Sequence, residues 1–346
     1  MFLALHDIRF AKGRFALMTT VVALVTLLLV MLSSLTRGLG EQTTSAVAGL
    51  PSGRLLLAPS GSTTSWADSV ITPQLVNDAR RADPDAEALA LGRARAIRGE
   101  AITSPAVIGV EPGGRSMAAL GRPLSDDQVV LAQEVADELA LAPGQALDLN
   151  GVRLVVAAVQ PTHWYSHSPV VWTTLATANR ITGQPAGQAT AVLSPGSAPA
   201  PAALTALDRG EALAALPGYS SERGSLLMIQ GLLYGVTALV VLAFLSVWTI
   251  QRTRDIAVLR ALGGSRRYVL RDSLGQAAIL LGIGCLLGGT LGTAAALAAR
   301  QAVPVLVLPA TTLAPTAGVL LVGLLGSVLA VRRVAAVDPL LALGGN

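Results

Sequence analysis

Four stretches without a single Asp, Glu, Lys, Arg or His constrain this chain more than anything else in it. They are Phe15–Leu35, Leu226–Ile250, Leu274–Ala299 and Ala317–Val331. About 20 apolar residues cross the hydrocarbon core of a bilayer as an α-helix, the form in which every backbone polar group is bonded within the segment. The last run is short, but it extends backwards through Leu313–Thr316. Composition agrees with four membrane helices. The chain is 52% hydrophobic and only 13% charged, where soluble domains carry about 25% charged residues.

The charges that remain sort to the ends of these runs. Basic residues cluster at Arg9–Arg14, at Arg252–Arg271 and at Arg332-Arg333. By the positive-inside rule both termini and the middle loop are cytoplasmic, in a multi-pass protein of the cell membrane. Four spans with both ends inside is self-consistent, and it places the long Leu50–Gly224 segment outside. Met1–Arg14 alternates apolar Phe2, Leu5, Ile8 and Phe10 with charged residues, as an interfacial helix does. Ala46-Val47-Ala48 has the small-residue form of a signal-peptide cleavage site. The apolar run is longer than such a peptide needs and ends well before that site, so an uncleaved first helix is expected.

Arg37–Gly49 is polar but helix-compatible, so the first helix is expected to run on past the membrane. The following segment has the turn-rich character of a folded α+β domain. Val70–Ala82 reads as a helix, because Thr72-Pro73 supplies a cap followed by proline at the first position. Gln133–Leu141 reads as another. Ala146–Leu149 and Arg153–Val159 read as a hairpin around Asn150-Gly151. The fold class is therefore membrane α-helical, with four transmembrane helices, an inserted extracytoplasmic α+β domain and an N-terminal interfacial helix. Residues 1–14 form the interfacial helix, 15–49 the first span with its outer extension, and 50–224 the outer domain. Residues 225–251, 273–300 and 316–331 form the later spans; 252–272 form a cytoplasmic helix and loop, 301–315 an outer loop and 332–346 a cytoplasmic tail.

Chemistry of its own is not evident in the chain. There is no GxxxxGK[ST] phosphate loop, so ATP is not hydrolysed by that route. Three histidines, His6, His163 and His167, offer no Ser/His/Asp arrangement, and the single Cys285 excludes an internal disulfide. The spans carry none of the buried charges that mark ion-driven pathways. No intrinsic cofactor and no nucleic-acid partner are expected. Gly284, Gly288 and Gly292 recur at four-residue steps, the small-residue face on which membrane helices approach closely.

Gln251–Arg271, QRTRDIAVLRALGGSRRYVLR, joins two of the spans and carries six arginines. Ile256, Leu259 and Leu262 recur at helical spacing, and Gly263-Gly264 stop the pattern. A helix of this kind seats its apolar stripe in a groove on a partner, while Arg252, Arg254 and Arg260 pair with acidic groups at the rim or with membrane lipid. The segment resembles the coupling element of FtsX/MacB-type ABC transporter permeases, in which an acidic residue precedes I-A/G-V-L-R-A-L-G and a small residue. Asp255 through Gly264 fill that pattern, with Asp255 in place of the commoner Glu. Arg332–Leu343 resembles the family's closing segment, and the EVADELALAPGQALDLNGVRLVVAAV stretch resembles the hairpin of its outer domain. The resemblance implies a non-catalytic homodimeric permease working with two copies of a separate ATPase, which binds the ATP. Its dimer closure would move the first two helices and the outer domain.

The small outer domain and the Trp164–Trp172 stretch resemble the HrtB-type haem-exporter branch. Haem iron takes His, Met, Cys or Tyr ligands. Met31 lies in the outer half of the first span and could meet its copy across a two-fold axis. Arg37 could pair with a propionate, and Gln230 and Tyr234 of the second span could line the same cleft. His163, Tyr165 and His167 of the HWYSH sequence are the alternative ligands. Two other readings stand beside haem export: a non-transporting signal transmitter that activates an envelope enzyme, and a lipid or lipoprotein extractor.

Overall fold

The first apolar run folds as one unbroken helix, α1 (Lys12–Ala48), so the polar stretch after the span remains helical. The computed structural model describes residues 12–251 and 266–335. The expected interfacial segment Met1–Ala11, the loop 252–265 and the tail 336–346 lie outside the described residues. The chain divides into two compact units, one of them Leu39–Arg223 and the other the flanking sequence up to Gly38 and from Gly224 onward.

The flanking unit holds four helices long and apolar enough to cross a membrane. They are α1 and three later helices, Tyr219–Gln251, Arg266–Ala299 and Pro309–Ala335, numbered α7, α8 and α9 in chain order. Glycines bring them together. A Cβ on Gly288 would lie 2.2 Å from the backbone oxygen of Ala23, and one on Gly292 3.0 Å from Cα of Leu27. Gly284 faces Val22 in the same way, so α8 lies against α1 along the whole small-residue stripe. Gly289 meets Thr316 and Gly323 meets Leu281, which joins α8 to α9. Gly318 meets Tyr234, joining α9 to α7. Phe15 and Phe244 (ring centroids 6.5 Å apart) close the ring between α1 and α7. Without a hydrophobic force between helices in lipid, such backbone-to-backbone contact carries the association.

The fourth span starts earlier than its charge-free core suggests. The sequence places Pro315 in the outer loop, 301–315, but it sits inside α9, which begins at Pro309. A proline early in a membrane helix removes one ladder bond that neighbouring groups re-satisfy. The loop is held instead by α1. Leu306 donates its N–H to Ser34 O at 3.0 Å, and a Cβ on Gly38 would lie 1.8 Å from Pro304 O.

The second unit is built on a mixed twelve-stranded sheet. Its elements in order are β1 (Arg54–Leu57), α2 (Pro73–Ala82), β2 (Glu87–Arg93), β3 (Ala96–Arg98), β4 (Ala101–Thr103), β5 (Ala106–Val110), α3 (Arg115–Ala119), β6 (Gln128–Ala132) and α4 (Gln133–Glu138). There follow β7 (Ala146–Leu149), β8 (Val152–Gln160), β9 (Trp164–Tyr165), β10 (Ser168–Thr174), α5 (Leu175–Thr182), β11 (Ala191–Ser194), β12 (Thr205–Leu207) and α6 (Arg209–Ala214). The spatial order is β12-β1-β11-β2-β5-β10-β6-β8-β7-β3-β4, with β9 on β10. Pairs β5/β10 and β6/β8 are parallel.

Local chemistry sets the ends of these elements. Thr72 caps α2 by accepting from Leu75 N, and the helix starts at Pro73, three residues later than the apolar pattern alone suggests. Ile71 instead bridges Ala189 as an extended residue. The helix expected over Gln133–Leu141 ends at Glu138, and Ala140 turns left-handed at φ 48°. The β7–β8 hairpin turns on Asn150 and Gly151 at φ 50° and 84°, the signs a type I′ turn requires. Asp208 and Glu211 form a capping box on α6.

One buried carboxylate staples the loop after β11. Asp83 accepts from Ser194 Oγ at 2.5 Å, from the N–H of Gly196 at 2.8 Å and from that of Asp85 at 3.3 Å. The Ser194 bond, with the two backbone donors and Arg54, outweighs desolvation and holds its pKa below the ordinary carboxylate value. A carboxylate lowered on folding contributes stability that is fully present above its unfolded pKa of about 3.9 and is lost as pH falls through the folded value. Asp83→Asn is therefore expected to lower the thermal midpoint of the Leu39–Arg223 unit at pH 7 and to flatten its decline as pH falls below about 4. An unchanged acid limb in the variant would assign that decline to other carboxylates.

Candidate functional site

Met31 lies on a stripe of α1 that the bundle leaves open. Leu17, Leu24 and Leu28 are 66%, 55% and 43% exposed, and Met31 follows them at the three- and four-residue steps that keep one helix face. Met31 itself is half-buried. Arg37 is exposed one and two-thirds turns further on, about 120° around the helix from Met31. Between them, Thr36 Oγ1 accepts from Gln230 Nε2 at 3.1 Å, which ties α1 to α7. Tyr234, one turn after Gln230, is committed elsewhere: a Cβ on Gly318 of α9 would lie 2.8 Å from its hydroxyl oxygen. The structure thus brings Gln230 to Thr36 of α1 and turns Tyr234 toward α9.

The HWYSH residues follow three different directions. Tyr165 is core, edge-on to Trp66 with ring centroids 6.5 Å apart. Burial pushes its phenol up to about 12, so it is neutral across the physiological range. His163 stands edge-on to Trp172 at 6.4 Å, and its Nδ1 is buried without a hydrogen-bond partner. His167 faces outward. Its Nε2 lies 3.4 Å from Thr43 Oγ1 and 3.3 Å from both carboxylate oxygens of Glu222. Among the described residues no group of three His, Cys, Asp or Glu side chains is arranged to hold a metal ion. Arg252, Arg254, Asp255, Ile256, Leu259, Arg260, Leu262 and Gly263 of the expected coupling segment lie outside the described residues.

Two partners escape a reading of the sequence. Thr36 is one of many hydroxyls in an apolar helix, and nothing local marks it as the acceptor for an amide 194 residues away. Glu222 sits in the first turn of α7, where an acidic residue is expected for the helix dipole alone.

Residues 15–207, more than half of the 346, match the MacB-like periplasmic core domain. The chain belongs to the MacB/FtsX family of ABC transporter permeases. Residues 227–339 of the permease match the FtsX-like permease C-terminal domain. It is 35% identical over 118 residues to uncharacterized ABC transporter permeases of Mycobacterium bovis and Mycobacterium tuberculosis, a match that covers 34% of the chain and 33% of each relative. The permease thus matches about a third of the length of these relatives. Among solved structures it is similar to the extracellular domain of the noncanonic ABC-type transporter YknZ from Gram-positive bacteria. That match has 14% identity and a TM-score of 0.32, and covers 42% of this chain and 84% of that one.

Proposed function

We propose that the permease is the membrane subunit of an ATP-driven exporter, a homodimer working with two copies of a separate ATPase, and that haem or a similar hydrophobic porphyrin is its cargo. Both termini and the loop after α7 face the cytoplasm, where Arg252, Arg254, Asp255, Ile256, Leu259, Arg260, Leu262 and Gly263 engage the ATPase. Closure of the ATPase pair moves α1 and α7, and no ATP chemistry falls to this chain. The observation that carries the cargo reading is the open stripe of α1, on which Met31 follows exposed Leu17, Leu24 and Leu28. On that stripe a second copy would place two soft thioethers across a two-fold axis, a ligand set that suits haem iron. Arg37, six residues after Met31, and Gln230, bonded to Thr36 of the same helix, are the groups to receive propionates. An apolar cargo entering from the outer half of the bilayer also needs no charges in the spans.

The test is a haem titration of the detergent-solubilised full chain, followed at the Soret band. Wild type is expected to bind saturably, Met31→Ala tenfold or more weakly (about 1.4 kcal/mol), and His163→Ala/His167→Ala as wild type. Loss confined to the histidine variant would move the site to the outer unit. Absence of saturable binding by wild type would end the haem reading; lipid-stimulated turnover of the ATPase complex without a Soret change would then favour the lipid extractor.

A further inference from the structure

The turn between β9 and β10 is built from residues that do not favour it. Tyr165 pairs with Ser168, so Ser166 and His167 are the two central residues of a tight hairpin. Both are left-handed, at φ 46° and 61°. Asn-Gly is the usual choice for such a turn, because a side chain at positive φ is strained. Here neither residue is Gly or Asn, and both carry a side chain at positive φ, where His is tolerated better than most. Strain of this kind persists where surrounding contacts over-determine it, and the contacts are visible. Ser166 N–H donates to Thr43 O at 3.1 Å and His167 N–H to Gln42 O at 3.0 Å. Trp164 N–H donates to Ser45 Oγ at 2.8 Å. The turn is therefore seated on the outer end of α1, and its histidine reaches across to Glu222 in the first turn of α7.

We propose that His167 is a proton-sensitive clasp joining the outer end of α1 to the first turn of α7. A protonated imidazole makes a charge-assisted bond to the Glu222 carboxylate; a neutral one keeps at most the weaker hydrogen bond. The charge-assisted bond needs the imidazolium and the carboxylate together, so it is weakened by base that deprotonates the ring and by acid that protonates the carboxylate. The other charged groups around it do not replace Glu222. Arg93 of β2 donates to Ser166 O and Ser168 Oγ, on the backbone side of the turn. Arg223 of α7 lies over the Tyr219 ring, and Glu41 of α1 is exposed. The His167 and Glu222 side chains are 37% and 44% exposed. A pair that wet biases an equilibrium by about fivefold at most, so the clasp tunes the spacing of the two helices rather than locking it. It rests on this geometry alone and holds whatever the cargo is.

The test is a distance measurement on the full-length protein in nanodiscs, with spin labels at Ala48→Cys and Arg223→Cys in a Cys285→Ala background. Wild type at position 167 is expected to give a narrower distance distribution at about pH 5.5 than at about pH 8.5. Glu222→Gln and His167→Gly are each expected to give the broad distribution at both. Glycine relieves the turn's backbone, so His167→Gly keeps the hairpin, and a purely structural role would leave its pH response intact. A response that survives in either variant, or none in the parent, overturns the clasp.

Discussion

Gly288→Ala is expected to destabilise the four-helix unit by on the order of 2 kcal/mol or more, whereas Gly282→Ala, six residues earlier on the same helix, is expected to be neutral or slightly stabilising. The two substitutions are chemically identical. A Cβ at 282 meets nothing within 4 Å, and alanine is the better helix former by about 0.5–1 kcal/mol. A Cβ at 288 would lie 2.2 Å from Ala23 O, 2.7 Å from Thr26 Cβ and 2.9 Å from Ala23 C. Two of those three atoms are backbone, so no rotamer change relieves the overlap, and α8 has to move away from α1 as a body. Gly284 and Gly292 make their own close approaches to α1 on the same stripe, and both are lost in the same movement. Overpacking a well-fitted contact costs about 1–3 kcal/mol and sometimes more. The check is the fraction of each variant that stays monodisperse in detergent after heating. Equal heat resistance for 282 and 288 would mean that the α1–α8 contact is looser than the backbone distances imply.

What the chain discloses about itself divides by range. The spans are readable because their cause is local: a run of apolar residues is enough. The cap at Thr72-Pro73 and the Asn150-Gly151 turn are readable for the same reason, each being set by two adjacent residues. The start of α9 is less readable: the apolar run extends backwards only through Leu313–Thr316, whereas the helix begins at Pro309 and carries Pro315 inside it. Gly284, Gly288 and Gly292 announce a close neighbour without naming it, and only the fold identifies it as α1. The HWYSH sequence is a sharper case. Its polar aromatic composition suggests a ligand set, but Tyr165 is a strand residue that enters the core, whereas His167 belongs to the left-handed turn between β9 and β10 and faces outward. Its partner Glu222 is 55 residues away, so no pattern in the sequence joins them.

The Leu39–Arg223 unit should depend as strongly on Trp66. Trp66→Ala is expected to lower its stability by about 3–5 kcal/mol, the usual cost of deleting a large aromatic from a core. That is a fall in its thermal midpoint of about 6–20 °C for a unit of this size. Trp66 is 2% exposed and belongs to the core cluster that also holds Tyr165, Trp172, Leu57 and Val110. Its indole donates from Nε1 to Ala212 O at 2.8 Å, and its own N–H reaches Ala215 O at 3.3 Å, so one residue of the β1–α2 connection fixes the C-terminal half of the short helix α6 and its cap. Arg209 of the same helix donates to the carbonyls of Ala48, Leu50 and Pro51, the chain just past α1. Loosening Trp66 therefore loosens α6, and α6 is the piece that holds the end of α1 close to the segment leading into α7. Trp66→Phe separates the two contributions. It keeps most of the buried area and edge-on contact with Tyr165 but leaves Ala212 O without its indole donor, a loss of about 1–3 kcal/mol. If packing dominates, Trp66→Phe retains most of the wild-type midpoint and Trp66→Ala does not. If the two variants fall together, the indole bond to α6, and not the filled volume, is what keeps this corner of the unit in place.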